Sequence, residues 1–170
     1  MELHLHLPHW RQHRTDWPAA AVSGFAAGAV LMVVELFWAA WISGDSPWRT
    51  SHAIAAIVLG PDALSWAGFG FGVVSVALFV HYLLGIVFGL VLSWALAPFL
   101  AEWGDDTPAL AAMWGALFGA VLYLLNFYGM ALVFPWFAHL RGAPAFASHL
   151  IFGTSAALIY WKLERRSMDQ

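Results

Sequence analysis

Apolar residues run almost without interruption through four stretches of the chain. They extend from about Ala19 to Trp41, from about Gly70 to Ala97, from Pro108 to about Phe134 and from Pro144 to about Tyr160. A transmembrane helix needs about 20 predominantly apolar residues, so each stretch is read as a span. Proline at or just before the start of spans one, three and four fits a first helical turn, where the missing N–H costs nothing. Span one carries a single charge, Glu35. That acid and the length of the stretch distinguish it from a cleaved leader, so it is read as a retained helix. One apolar segment is too short to cross. Ser46-Pro47-Trp48 reads as a turn, Thr50 or Ser51 as the cap of a short helix, and Gly60-Pro61 as its stop. The eight residues from His52 to Leu59 rise only about 12 Å, so this helix, inserted over 51–60, is placed on the outer face or dips in from it.

The pattern thus predicts an all-α, four-span bundle of two tandem helical hairpins with a short outer-face helix. The divisions are an arm over 1–17, a first hairpin over 18–99, an acidic loop over 100–107, a second hairpin over 108–162 and a tail over 163–170. Composition agrees. Of 170 residues, 62% are hydrophobic and 10% charged, against roughly 25% charged in a soluble domain. A soluble monomer and a disordered chain are excluded. The net charge of −3 speaks against a nucleic-acid partner. With no cysteine, disulfides, thiolate metal sites and cysteine nucleophiles are excluded too.

Arg11 and Arg14 precede span one, and Lys162, Arg165 and Arg166 follow span four. Four spans put these on one side, and the other side holds Arg49 and Arg141. Both termini are therefore expected in the cytoplasm, although the inside loop carries only Glu102, Asp105 and Asp106. Trp17, Trp94, Trp103 and Trp161 fall at inner span ends, and Trp41, Trp48, Trp66 and Trp136 at outer ends, as an interfacial belt would.

The hairpins look alike. Gly24-x-x-x-Gly28-Ala-Val-Leu followed by Glu35 matches Gly115-x-x-x-Gly119-Ala-Val-Leu followed by Asn126, at an offset of 91. His81-x-x-x-Gly85-x-x-x-Gly89-Leu matches His149-x-x-x-Gly153-x-x-x-Ala157-Leu at an offset of 68. This predicts a parallel repeat, with the short outer helix as an insertion in the first unit.

Spacings of three and four put Glu35, His81, Asn126 and His149 on the same helix faces as these small residues. Membrane helices approach closely along such faces, so the four should point into the bundle. Glu35 lies 18 residues after Trp17, about 27 Å along the helix, which places it in the outer half. His52, Tyr128 and His139 are assigned to the same half. An ionisable residue inside a membrane marks a functional site by default. Four readings remain open: a structural hydrogen-bond network, a proton or ion pathway, a metal site with His81, His149 and Glu35 as ligands, and haem b held between His81 and His149. The arm bearing His4, His6, His9 and His13 could bind a divalent ion, and Asp62 could line the outer mouth. Arg141 reads as an interfacial anchor. No phosphate loop, nucleophile elbow or HExxH occurs, and nothing argues for an enzyme.

Ile54-Ala-Ala-Ile-Val-Leu-Gly60-Pro61, Val80-His81-Tyr82, Leu125-Asn126-Phe127-Tyr128-Gly129, Phe134-Pro135-Trp136-Phe137 and His149-Leu-Ile-Phe-Gly153 carry a resemblance over about residues 20–160. The chain resembles a group of small bacterial membrane proteins that often bear the label "sodium:proline symporter". The resemblance implies a bacterial inner membrane and assigns no site residue. The label itself does not suit four spans in a parallel repeat, since symporters of that class use many more helices in inverted repeats. The expected protein is thus a small inner-membrane protein whose polar site opens toward the periplasm. It would handle protons, ions or a small solute. A thin four-span interior also suggests a homo-oligomer or a subunit of a larger membrane complex.

Overall fold

The computed structural model describes residues 15–44, 46–66, 68–103 and 108–168. The histidines of the N-terminal arm and the acidic loop residues Asp105 and Asp106 lie outside the described residues. Among the described residues there are five α-helices, α1 (Trp17–Trp38), α2 (Arg49–Leu59), α3 (Phe71–Trp103), α4 (Pro108–Leu124) and α5 (Ala143–Met168). No strand occurs among the described residues. Four of the helical runs are long and apolar enough to cross a bilayer, over Trp17–Ile42, Phe71–Leu100, Pro108–Leu132 and Ala143–Ser167. The protein is a multi-pass, all-α membrane protein. The start of α1 packs against the later part of α5 at one end of the bundle, the termini side. The α1–α3 and α4–α5 connections share the other, the connection side.

Local chemistry explains the helix ends. The Asp16 carboxylate accepts from the Ala19 amide at 3.0 Å and caps α1, with Pro18 in the first turn. Beyond Trp38 the helix widens into π turns over Ala39–Ser43 and stops at Gly44, whose φ is +67°. α2 stops at Gly60, with φ +85°, and Pro61 opens a 3-10 turn. Expectation and structure differ in four places. α2 begins at Arg49, so Thr50 and Ser51 lie inside it; the turn before it is closed instead by Arg49 N–H donating to the Ser46 carbonyl at 3.1 Å. α3 runs through Pro98 to Trp103 rather than stopping at Ala97. The third span loses α geometry at Leu124, continuing as π turns over Leu125–Gly129 and a 3-10 turn over Met130–Leu132, and Pro135–Leu140 forms a further 3-10 turn. α5 continues past Tyr160 through Lys162, Glu164, Arg165 and Arg166, residues with good helix propensity despite their polarity.

Two glycine crossings fasten the hairpins. A Cβ on Gly24 would collide with the Gly85 carbonyl and lie 2.9 Å from the Gly89 Cα. A Cβ on Gly115 would collide with the Gly153 carbonyl and lie 2.7 Å from the Ala157 Cβ. Only small residues permit these backbone approaches. The hairpins then join mainly through α1 against α5, while α3 and α4 touch lightly. Ala27, Leu92, Leu96, Ala111, Leu122, Phe152, Ala156 and Ala157 form the apolar core. Toward the termini side, Ala19, Ala20 and the fully buried Tyr160 continue it. α2 lies on the connection side, where Ala55 packs on Val73 and Ala77 of α3. From the second hairpin, Trp136 Nε1–H donates to the Ala53 carbonyl at 3.0 Å and clasps α2.

Candidate functional site

Above the apolar core, toward the connection side, the helices enclose a cavity of about 90 Å³. A water molecule needs only about 10–15 Å³ measured this way, so several fit. Glu35, His81, Asn126 and His149 all line it, the first from α1, the second from α3, the third from the π turns after α4 and the fourth from α5.

Each side chain is held differently. His81 Nε2–H donates to the Gly28 carbonyl at 2.8 Å, across the first hairpin. His149 Nδ1–H donates to the Ala145 carbonyl one turn back in its own helix, also at 2.8 Å. Its Nε2 therefore accepts, and the Asn126 amide group donates to it at 3.1 Å. That orientation of Asn126 leaves its Oδ1 buried without a partner. Glu35 is half-buried, and no hydrogen bond or ion pair ties it to a described residue. It lines two further cavities, one of about 210 Å³ toward the connection side and one of about 40 Å³ against α2. Glu35 is thus part of the common wall of three chambers. A carboxylate with no partner and an amide oxygen with none both border the interior space, and each can accept a hydrogen bond from water or from a ligand.

The remaining expected residues do not join this group. His139 lines the 210 Å³ chamber and a larger one of about 560 Å³. His52 is a buried residue of α2 and of these chambers lines the larger one; its Nε2 has no partner among the described residues. Tyr128 is half-exposed beneath Arg141, whose guanidinium carbon lies 4.2 Å from the ring centre, and it lines none of these chambers. Glu35, His81, Asn126 and His149 thus share one cavity, whereas His52, Tyr128 and His139 do not line it.

The geometry also weighs on metal and haem. Among the described residues no three of His, Asp and Glu come close enough together to hold a metal ion. Both Nε2 atoms that would ligate haem iron are engaged, one with Gly28 and one with Asn126. The cavity of about 90 Å³ is well below the roughly 300 Å³ at which organic-ligand pockets begin. Haem b does not fit between His81 and His149.

Several contributors escaped the sequence reading. Thr50 of α2 lines the same three chambers as Glu35. Arg49 and Arg141 border the 210 Å³ chamber, and Ser148 lies buried beside it. The available signal was position: Arg49 opens α2, and Arg141 stands two residues before α5 begins. Comparison with protein-family models, with curated proteins and with solved structures finds no match to this chain.

Proposed function

We propose that this protein is a small bacterial inner-membrane protein that accepts and releases protons at an interior polar site, with Glu35 as the carrier. The observation that carries this reading is the Glu35 carboxylate, which no described residue pairs, on the wall shared by an interior cavity and a chamber leading toward the connection side. An unpaired acid is costly inside a membrane, and it persists where a site uses it. His81 keeps its Nδ1 bare beside the cavity, whereas both ring nitrogens of His149 are engaged, one by Ala145 and one by Asn126. Asn126 stands where Glu35 would stand if the two hairpins are copies of one unit, which their matching glycine crossings support.

The excess of Lys and Arg at the termini places that side in the cytoplasm and the cavity toward the periplasm. Because the chain has no cysteine, a single Ser46→Cys variant tests this orientation directly. A membrane-impermeant maleimide added to whole cells with a permeabilised outer membrane should label it. Lipid contacts the exposed apolar faces of the spans, and association with a second copy or another membrane subunit is expected along them.

Proteoliposomes with a potassium diffusion potential and an internal pH dye test the proton reading. Wild-type protein should carry protons faster than empty vesicles, and Glu35→Gln should slow the flux at least tenfold. Flux equal to that of empty vesicles, or an unchanged rate in Glu35→Gln, would overturn it. A loss of stability in Glu35→Gln without any change of flux would mark a purely structural acid.

A further inference from the structure

The chamber of about 210 Å³ is bordered by Glu35, Arg49, Thr50, His139, Arg141 and Ser148. Among the described lining residues two guanidinium groups and one imidazole face a single carboxylate. Two helices also begin at this chamber, α2 at Arg49 and α5 at Ala143, and residues of both first turns line it. Helix starts carry unpaired amides and partial positive charge, and two converging starts add to the charge of the arginines. Arg141 is held in place. Its Nε donates to the Phe127 carbonyl at 2.7 Å, and its plane lies over the Tyr128 ring. Its terminal amino groups are the part left for a ligand. A guanidinium fixed this way suits a planar carboxylate, which it can bind through two parallel bonds.

We propose that this chamber binds a small monovalent carboxylate, and that it does so together with a proton on Glu35. The coupling half of the proposal rests on the reading of Glu35 as a proton carrier; the anion half does not. Charged Glu35 repels an anion in the chamber. Neutral Glu35 removes that repulsion and offers an O–H donor. Anion and proton should therefore each strengthen the binding of the other, by the same factor. The charged or titratable groups facing Glu35 are Arg49 of α2, His81 of α3, His139 and Arg141 of the second connection, and His149 of α5.

The test is thermal unfolding of the purified full chain in detergent, with sodium formate against equal concentrations of sodium chloride, at pH 5.5 and pH 8. Formate should raise Tm more than chloride, and its apparent affinity should be at least tenfold higher at the lower pH. Arg141→Gln should weaken formate at least tenfold. Arg49→Gln, a second variant in case the first folds poorly, should weaken it severalfold. Glu35→Gln should keep formate binding and lose most of its pH dependence. Equal shifts with formate and chloride, undiminished formate binding in both arginine variants, or tighter binding at pH 8 would each overturn the proposal. Formate binding in a protein that carries no protons would sink the proton reading and leave the anion site standing. Proton flux without formate binding would do the reverse.

Discussion

The two hairpins use the same crossing and wire their histidines oppositely. In the first, the helices separate above Gly24 enough for the His81 ring to lie across to Gly28; a Cβ on Gly28 would find His81 Nε2 at an ordinary 3.7 Å. In the second, the backbones stay pressed together one turn further. A Cβ on Gly119, which stands 91 residues after Gly28, would lie 2.8 Å from the His149 carbonyl carbon and 3.0 Å from the Leu150 Cα. No ring fits there, so His149 turns back to its own helix and meets Asn126 instead. The tight hairpin carries a neutral, bonded amide, and the looser one carries the unpaired acid. The two hairpins therefore differ in how closely their helices approach and in how their polar side chains are held.

The most severe test of this contrast is a methyl group. Gly119→Ala forces one Cβ against backbone atoms that cannot rotate away, and overpacking of this kind costs about 1–3 kcal/mol or more. Gly28→Ala adds the same methyl at ordinary contact distance and should be close to neutral. For a chain of this size 1 kcal/mol moves Tm by about 2–4 °C, so thermal unfolding in detergent resolves the pair. Equal losses in the two variants would mean that the hairpins are packed alike.

The next test removes the polar partners. Asn126→Leu deprives His149 Nε2 of its donor and leaves it buried, which should cost about 1–3 kcal/mol. Glu35→Leu removes a group that no described residue pairs with, and should leave Tm unchanged or raise it by a few degrees while abolishing proton flux. A fall in Tm for Glu35→Leu as large as that for Asn126→Leu would show that the acid is structural glue.

Much of this could be read from the sequence, for identifiable reasons. The spans follow from uninterrupted apolar runs punctuated by Pro18, Pro108 and Pro144, and the short helix ends where Gly60 and Pro61 require. The four cavity residues follow from helix geometry: glycines spaced by four mark the contact face, and Glu35, His81, Asn126 and His149 share it. What could not be read is how α2 folds back. Its sequence fixes its length, whereas its seat on α3 and beneath Trp136 is a tertiary outcome. That seat alone brings Thr50 and Arg49 beside Glu35. Arg141 reads as an interfacial anchor in one dimension, because nothing local reveals that Phe127 and Tyr128 will position its guanidinium. The change to π turns at Leu125 is equally invisible in composition, yet it sets where Asn126 points.

The finest test concerns the placement of protons alone and is read by spectroscopy rather than by Tm. A backbone carbonyl only accepts, so the ring nitrogen facing it must carry hydrogen. For His81 that nitrogen is Nε2, because Gly28 O lies 2.8 Å away, and the neutral ring leaves Nδ1 bare. For His149 it is Nδ1, because Ala145 O lies 2.8 Å away, and the bare Nε2 takes the Asn126 amide. The two histidines are therefore expected in opposite neutral tautomers. Histidine labelled with ¹⁵N reports this at alkaline pH, since protonated and bare ring nitrogens resonate far apart. His81→Gln should remove an Nε2–H signal set, and His149→Gln should remove an Nδ1–H set. If both substitutions remove an Nε2–H set, His149 does not bond its own helix, the Asn126 amide must be inverted, and its oxygen is not the acceptor that borders the cavity; if both remove an Nδ1–H set, His81 does not donate to Gly28.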